Sequence, residues 1–427
     1  MEGVERVKPH YLELNSKTLI DDYIISKKWE EVRAQTAELD PAGELIFTTH
    51  NKNDYCLLEE SKFIFDIDIT KADGSRYINT SEIGLVNNAV MYMFKSAKLR
   101  FGSHDIEMVD HLGYATSCLG HLSYGSAYSM NNGLKQGWFY ENSSDGITTH
   151  DGFKKIQRLL LKDTTEKGQV TFTVPFNHIF GFKGKVLIGM DLIATFTKHI
   201  TDLPIIRIAG VDAAKIHLKR MVWKIPYLHP SILAETELGR NIIAEKHIDY
   251  PFLHRECHSV AVPSQATSFD YAIMHMDTKS KPMGLIVWFQ TGKMEDQTKN
   301  PNMLNHCDLK DARVRMNTEI YPNLDLRCDF DNNTYMECYD RFDDFRKKLT
   351  FTDTPILPYD FKNMYPYFAF DLSNQRERIV GSTDQITVEF KFKRNVPADT
   401  YAYSLLLYDR TINLQMLNDK SMKVVSY

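Results

Sequence analysis

The sequence contains little cysteine and proline, and no apolar run long enough to cross a membrane. Its 427 residues include 6 cysteines and 15 prolines, and the cysteines show no CxxC spacing. A chain of this length does not need disulfide cross-links, so we expect free thiols and a reducing compartment. The longest apolar run, near Val186, is interrupted by Asp191 and is far shorter than the ~20 residues that span a bilayer. We therefore expect no membrane-spanning segment.

Neither sign of charge predominates, and the first residues do not look like a signal peptide. The chain has 51 Lys and Arg against 56 Asp and Glu, a net charge of −5. Tight coating of nucleic acid needs a basic face, because affinity comes largely from counterion release, so we expect no strong direct nucleic-acid binding. Residues 1–17 carry charges where a signal peptide needs an apolar core. The sequons at Asn79, Asn142 and Asn332 are then expected to remain unmodified.

The common catalytic and nucleotide-binding motifs are missing. There is no GxxxxGK[ST] phosphate loop, no G-x-S-x-G elbow, no HExxH and no GxGxxG after a strand. Gly181 to Lys185 (GFKGK) has glycines without the spacing that turns backbone amides onto phosphates. We predict that the protein is not an enzyme and that it has no catalytic, cofactor-binding or metal-binding residues and no cofactor.

One cluster of metal-ligand residue types lies at His254, Cys257 and His258, with His247 nearby. A structural zinc site uses paired spacing and a fourth ligand, and H-x-x-C-H supplies neither. The favoured interpretation is that these residues flank a strand, with Cys257 buried and the histidines at its edge.

A second cluster imitates the ligand spacing of a calcium-binding loop. It consists of Asp329, Asp331, Asn333, Tyr335, Glu337 and Asp340. Thr334 stands where such a loop needs glycine, and Asp340 stands where it needs a bidentate glutamate. The favoured interpretation is a helix over 334–348 with a solvated acidic face.

Strand-like segments recur in the two halves of the chain. In Ser61 to Thr70 (SKFIFDIDIT), Phe63, Phe65, Ile67 and Ile69 alternate with Ile64, Asp66 and Asp68, which is typical of a half-buried strand. Gly284 to Thr291 repeats this element. A strand pair, Val170 to Phe176 with Val186 to Lys198, is repeated at a similar offset by Gln385 to Lys393 with Thr400 to Asp409. The pattern indicates a duplicated β-domain.

The chain length suits two domains of about 200 residues each. We predict an arm over residues 1–41, a first β-sandwich over 42–210 and a second over 211–427, with Lys215 to Ile225 opening the second. Helical blocks are expected at Ile83 to Met93 and Val109 to Tyr124. An irregular insertion is expected at Asn300 to Asp360, where long connections carry surface function.

A series of short segments then resembles one family, in order and spacing, over nearly the whole chain. They are Lys71 to Gly74, Val86 to Asn88, Phe94 with Ser96, Gly102 with Ser103, Asn132 to Leu134, Gly189 to Phe196, Tyr250 to Phe252, Pro282 to Gly292, Asn300 to Asn302, Glu319 to Pro322, Tyr367 to Leu372, Gly381, and the closing strands to Asp409 and Arg410. The sequence resembles the double jelly-roll major capsid proteins of Polinton (Maverick) elements and adintoviruses. Residues 325–353 and the region of Trp29 do not match the family pattern.

The resemblance implies a fold and a function. The expected fold class is all-β, with two tandem eight-stranded jelly-roll β-sandwiches and short helical insertions. The expected function is that of a major capsid protein, which assembles as trimeric pseudo-hexagonal capsomers into an icosahedral viral or virus-like shell. The implied partners are further copies of the chain and a minor capsid or penton protein. The implied location is the virion, after synthesis in the host cytoplasm and assembly there or in the nucleus.

Two alternatives remain open at this point. One is a domesticated cellular relative that keeps the fold without forming virions. The other is a two-domain β-sandwich protein that binds or processes glycans, which would need clustered aromatic side chains in a groove. The four tryptophans, Trp29, Trp138, Trp223 and Trp288, are widely spread along the sequence.

Overall fold

A computed structural model gives the fold. It describes residues 23–35, 43–141, 151–162, 165–182, 184–199, 203–243, 247–273, 281–292, 296–317, 319–322, 324–373, 385–417 and 422–426.

Strands dominate both halves. Those of the first half are β1 (Ile24–Arg33), β2 (Glu44–Thr48), β3 (Tyr55–Cys56), β4 (Lys62–Lys71), β5 (Tyr77–Ile78), β6 (Ile83–Leu85), β7 (Phe94–Phe101), β8 (His104–Asp110), β9 (Glu166–Lys167), β10 (Gln169–Pro175), β11 (Leu192–Lys198), β12 (Ile205–Arg207) and β13 (Ala214–Pro230). Those of the second half are β14 (His247–Ala261), β15 (Ser268–Ile273), β16 (Pro282–Thr291), β17 (Leu309–Met316), β18 (Glu319–Tyr321), β19 (Phe368–Asp371), β20 (Ile386–Phe392), β21 (Thr400–Met416) and β22 (Met422–Ser426).

Helices lie mostly between these strands. They are α1 (Ala89–Tyr92), α2 (Leu112–Ser123), α3 (Ser126–Met130), α4 (Asn132–Gln136), α5 (Asp151–Leu160), α6 (Phe176–Ile179), α7 (Ile232–Ile243), α8 (Met336–Thr350) and α9 (Pro358–Asn363), with a 3-10 turn at Leu58–Glu60.

The first half forms two facing antiparallel sheets. One has the order β1-β13-β4-β10 and the other β2-β11-β7-β8. Phe63 and Phe65 of β4 point inward and are fully buried, as the alternation in the sequence predicts. The ring of Phe63 lies 5.0 Å from that of Phe196 on β11, so the core fills the space between the sheets.

The second half repeats this arrangement strand for strand. Its sheets have the orders β14-β21-β16-β19 and β15-β20-β17-β18. Phe289 of β16 meets Phe390 of β20 edge to face at 5.1 Å across the second core. In both halves the first, eighth, third and sixth of eight main strands form one sheet and the second, seventh, fourth and fifth form the other. Each half is therefore an eight-stranded jelly roll, and the expected fold class is confirmed.

The predicted domain limits are wrong at both ends of the first domain. Strand β13 was expected to open the second domain, but it pairs with β4 along most of its length and is the eighth strand of the first jelly roll. Strand β1 lies within the predicted arm, yet it pairs with β13 in the same sheet. The first jelly roll thus runs from β1 to Pro230. Residues 1–22 of the arm lie outside the described residues.

Of the two strand matches that the sequence predicted between the halves, one is correct and the other is displaced. Ser61 to Thr70 and Gly284 to Thr291 correspond to β4 and β16, which are the third strand of each jelly roll. The second match is displaced by one strand, because it equates β10 and β11 with β20 and β21. These are the sixth and seventh strands of one jelly roll and the seventh and eighth of the other. Each supposed pair also divides between facing sheets, so its members are not hydrogen-bonded neighbours.

Long insertions between the fifth and sixth strands carry most of the helices. We call the segment between β8 and β10 the first insertion and the segment between β18 and β19 the second insertion. The helical blocks predicted around residues 83–124 contain α1 and α2, and the predicted helix over 334–348 is α8. The prediction of free thiols is wrong for Cys328 and Cys338, which form a disulfide where a short hairpin at Asp329 and Thr334 leads into α8.

Candidate functional site

The two jelly rolls meet at a joint built from elements of both. Strand β8 and helix α2 of the first jelly roll lie against β14, the first strand of the second. From Leu112 to Leu122 helix α2 is buried on all sides. At Gly113 a Cβ would lie 2.4 Å from the Tyr92 ring, so only glycine permits this packing. The joint is therefore as closely packed as a protein core.

A buried ion pair lies at the centre of the joint. Arg255 of β14 donates through Nε to Glu107 Oε1 of β8 at 3.1 Å, and their side chains are 3 % and 0 % exposed. Two further hydrogen bonds support the pair: Gly181 N donates to Glu107 Oε2 at 2.9 Å, and Arg255 donates through Nη1 to His178 O at 3.2 Å. Burial of both charges makes the pair sensitive to the loss of either partner.

The free edge of β14 is also occupied by the first jelly roll. Phe182 forms a backbone bridge with Phe252, and their rings stack at 4.8 Å. A Cβ at Gly181 would lie 2.2 Å from the carbonyl oxygen of Leu253. Gly181 therefore permits a backbone approach that any side chain would prevent.

The two insertions interlock beside this joint around His121. Its ring lies among Trp138, Tyr140, Tyr365 and Tyr367, and its Nδ1 shares a hydrogen bond with the Tyr367 hydroxyl at 3.0 Å. Burial lowers the pKa of His121 to about 3, so the imidazole is neutral at pH 7.

Arg346 of α8 ties the second insertion to the end of α2. It is 1 % exposed and donates to the carbonyl oxygens of His121 at 2.6 Å, Tyr124 at 3.1 Å and Asp353 at 3.1 Å. A guanidinium that binds three backbone carbonyls fixes the relative position of the elements that carry them.

Two asparagine segments that the sequence singled out meet across the same region. Asn302 donates through Nδ2 to Asn87 O at 2.8 Å and accepts from the Tyr92 hydroxyl at 3.1 Å. Asn88 lies in the left-handed region at φ 61° and donates to the Thr116 hydroxyl of α2 at 2.8 Å. The asparagines of both segments therefore hold the joint together.

The equivalent strand of the first jelly roll has no such cover. In β14, four consecutive residues, 254–257, are buried, which requires both faces of the strand to be covered. In β1, Val32 is the single buried residue, while Ile25 and Trp29 are 67 % and 48 % exposed. Near its start, Tyr23 O accepts from Ser231 N, next to Ile232, which is 82 % exposed. Exposed apolar side chains are thus concentrated along β1 and the start of α7.

Comparison with known proteins agrees with this architecture. A family model described as the double jelly roll-like domain matches residues 83–412, well over half of the chain. The chain belongs to the double jelly roll-like domain family. No curated protein sequence is similar to it at a significant level.

Solved double jelly-roll structures share the fold at low sequence identity. A chain of the Sputnik virophage matches at TM-score 0.67 with 12 % identity, covering 100 % of this chain and 94 % of that one. The mavirus major capsid protein matches at 0.54 with 11 % identity, covering 99 % and 96 %. The Faustovirus major capsid protein matches at 0.53 with 8 % identity, covering 94 % and 92 %. The two named capsid proteins are structural proteins rather than enzymes.

The zinc-like cluster of this double jelly-roll chain lies within β14 instead of flanking a strand: Cys257 is buried as expected, but His254 is buried too and does not lie at the edge. His254 Nε2 lies 3.3 Å from Glu256 Oε1, and Cys257 is buried with its pKa raised by desolvation. His247 lies at the far end of the strand, where Nδ1 is 3.0 Å from Asn413 Oδ1. Among the described residues, no group of three or more His, Cys, Asp or Glu could hold a metal ion.

The calcium-like cluster is neutralised by side chains. Lys393 donates to Asp329 at 2.8 Å and to Asp331 at 3.1 Å, and Arg394 donates to Asp331 at 2.5 Å. Two carboxylates of the cluster are therefore paired with cationic side chains. The Lys393 partner holds the pKa of Asp329 down at about 2.

The tryptophans form no groove. Trp138, Trp223 and Trp288 are all buried, in contrast to Trp29.

Within the described ranges, no helix is both long and apolar enough to cross a membrane. The surfaces that sequence reasoning missed are the joint and the open face of β1. Their residues are far apart along the chain, and no local motif marks them.

Proposed function

We propose that this chain is the major capsid protein of a virus or virus-like element of the Polinton and adintovirus type, and that it forms homotrimeric capsomers of six-fold-like outline. The family membership and the likeness in fold to viral capsid proteins support the capsid role. The open face of β1 supports the trimer.

The joint within one chain supplies a pattern for the contacts between chains. Inside the chain, the fifth strand of one jelly roll and the insertion after it cover the first strand of the next. The corresponding free surfaces are β18 with the second insertion at one end and β1 at the other. The surface of β18 and the second insertion includes Ile320 and Leu324, which are 41 % and 71 % exposed. The surface of β1 includes the exposed side chains of Ile25 and Trp29. Head-to-tail contact between these two surfaces forms a closed ring where the rotation between neighbouring chains allows it, and the proposed ring has three chains.

A closed shell then repeats modest contacts many times and gains avidity from geometry. The near-neutral balance of charge fits close packing of identical subunits, since strong like charge would oppose it. A minor capsid or penton protein would complete the vertices, in a virion assembled in the host cytoplasm or nucleus.

Native mass spectrometry with negative-stain microscopy tests this proposal. We expect trimers at micromolar concentration and hexagonal outlines or closed particles. Monomers alone would overturn the trimer. Stable trimers that never form particles, with or without a penton protein, would instead indicate a domesticated relative.

The arm gives a second test. Deletion of residues 1–22 leaves β1 in place, so the trimer should persist while particle formation is impaired if the arm makes contacts beneath the shell. Unchanged particles would contradict that role. Deletion to Pro41 is unsuitable, because it removes a strand of the first jelly roll.

A further inference from the structure

A pocket of about 360 Å³ lies between the fifth and sixth strands of the second jelly roll, beside helix α8. Its apolar lining comes from the end of β18, from α8 and from β19, and includes Pro322, Phe345, Ala369 and Phe370. Helix α8 also supplies the charged residues Arg341, Asp344 and Lys348. The pocket therefore lies in the same surface, β18 with the second insertion, that is proposed to contact the next chain.

The corresponding place in the first jelly roll is filled from within the chain. Arg255 of β14 binds Glu107 on the fifth strand, β8, and donates to His178 O in α6, which directly follows the sixth strand. The first strand of the next jelly roll thus supplies a side chain that bridges the fifth strand and the end of the sixth. For the second jelly roll, the corresponding element is β1 of another copy.

Arg255 lies on the outer face of its sheet. It is paired opposite Leu407, and Leu407 is paired opposite Gly284, which packs against Phe345 of α8 outside the sandwich. Residues that are paired across neighbouring strands share a face of the sheet. A side chain of β1 that takes the corresponding place must therefore also lie on an outer face.

Trp29 is such a side chain. Val32 lies opposite Trp223, and Trp223 lies opposite Phe63 of the core, so Val32 faces inward. Side chains alternate between the two faces along a strand, so Trp29, three positions earlier, faces outward. It is 48 % exposed in the single chain and carries the largest apolar group of β1.

The charges beside Trp29 and in the pocket are complementary. Lys62 lies 4.9 Å from the centre of the Trp29 ring and forms no ion pair with a carboxylate in the described ranges. Asp344 of the pocket likewise has no cationic partner among the described residues, whereas the other charged lining residues are paired within the chain. A positive group thus accompanies the indole, and a negative group lines the pocket.

We propose that this pocket receives the Trp29 side chain of a neighbouring copy, with Lys62 of that copy beside Asp344. The inference rests on the proposed trimer and assigns its ring contact a specific anchor and a specific site. A cavity of about 150 Å³ holds a benzene ring, so a pocket of about 360 Å³ has room for the two fused rings of an indole. Aromatic anchors in such pockets carry much of the binding energy of an interface.

Tryptophan fluorescence of the full-length protein tests the anchor. Trp138, Trp223 and Trp288 are buried, so the difference between the parent protein and Trp29→Phe isolates the signal of Trp29. In trimers verified by native mass spectrometry, we expect that signal to be shifted to shorter wavelength and protected from quenching by acrylamide. Trimers in which Trp29 is quenched freely would overturn the pocket contact and leave the proposed capsomer intact, whereas absence of trimers would overturn both.

Charge exchange tests the pairing with Asp344. Lys62→Asp and Asp344→Lys should each raise the concentration at which the trimer dissociates by about tenfold or more, because like charges then face each other. The double variant should recover the parent value. Asp270→Lys is the matched control and should leave the trimer unchanged, since this exposed aspartate lies on β15, at the opposite edge of the sheet from β18. A double variant that is as weak as the single variants would overturn the pairing.

Discussion

Strands β1 and β14 hold the same position in the two jelly rolls, yet their surroundings differ. Strand β14 is covered on both faces and has a buried ion pair at its centre, whereas β1 exposes a tryptophan and two isoleucines. The charged residues of β1 also differ from Arg255, because Glu31 pairs with Lys224 at 2.8 Å in an exposed position. The first strand of a jelly roll therefore forms part of the joint in the case of β14, whereas in the case of β1 it forms an exposed surface of the single chain.

The largest expected effect comes from breaking the buried pair of the covered strand. Glu107→Ala should lower the free energy of unfolding by about 3–5 kcal/mol, because Arg255 is left buried and uncompensated. Urea unfolding measures the change. The matched control is Glu31→Ala on the open strand, which should change the free energy of unfolding far less, because solvent screens an exposed ion pair. Similar losses for both variants would contradict the contrast between the strands.

The next largest effect should come from acidification, which is expected to destabilise the region around the joint. His121 and His178 are fully buried, and burial lowers the pKa of each to about 3. The unfolded chain takes up protons below the ordinary histidine pKa of about 6.5, so stability is present above that pH and is lost as pH falls. The loss at pH 5 is about 2 kcal/mol for each histidine. Conversion to glutamine should flatten the dependence, measured as unfolding free energy against pH.

Glu141 acts in the opposite direction. Burial raises the pKa of its carboxyl to about 7, so its protonated form adds stability at low pH that is lost as pH rises through 7. Glu141→Gln removes this compensation and should steepen the loss on acidification between pH 7 and 5. An unchanged slope would show that the carboxyl is hydrated in solution.

A smaller effect is expected where α8 covers the second jelly roll. A Cβ at Gly284 would lie 2.2 Å from the ring of Phe345, so Gly284→Ala must move this ring of α8 away from β16. We expect a loss of about 1–3 kcal/mol, measured by thermal or urea unfolding. Gly43→Ala, which meets nothing within 4 Å, is the control. Equal stability of the two variants would contradict close packing of α8.

The smallest effect on the single chain should come from the open strand. Trp29→Ala removes a half-exposed side chain whose described neighbours include Lys62, 4.9 Å from its ring centre. The free energy of unfolding should change by less than about 1 kcal/mol. The trimer, however, should dissociate at concentrations where the parent protein stays assembled, as seen by native mass spectrometry. A fully retained trimer would place the ring contact elsewhere.

Local sequence patterns predicted strands and helices well where one face of the element is buried and the other faces solvent. The alternation in β4 is an example, because strand geometry sends successive side chains to opposite sides. The acidic helix after Asp331 was predicted within two residues of α8. Of the zinc-like residues, Cys257 was correctly predicted to be buried, but His254 was expected at the edge of a strand and is buried within β14.

The same reasoning failed where burial depends on distant segments. Residues 254–257 of β14 look like a metal motif because polar groups follow one another, yet they are buried by residues more than 70 positions away. Glu107 and Arg255 are separated by 148 positions, so no local signal pairs them. The division at Gly210 failed because a strand signal does not say which sheet the strand joins.

The sequence by itself determined the strand content, the duplication and the family, since these depend on side-chain periodicity and on short segments in a fixed order. The tertiary structure alone decided that β13 completes the first jelly roll, that a buried ion pair joins the two halves, and that the apolar side chains of β1 remain exposed. Coverage of a strand's second face is a property of what packs against it, and the strand's own residues do not encode that neighbour.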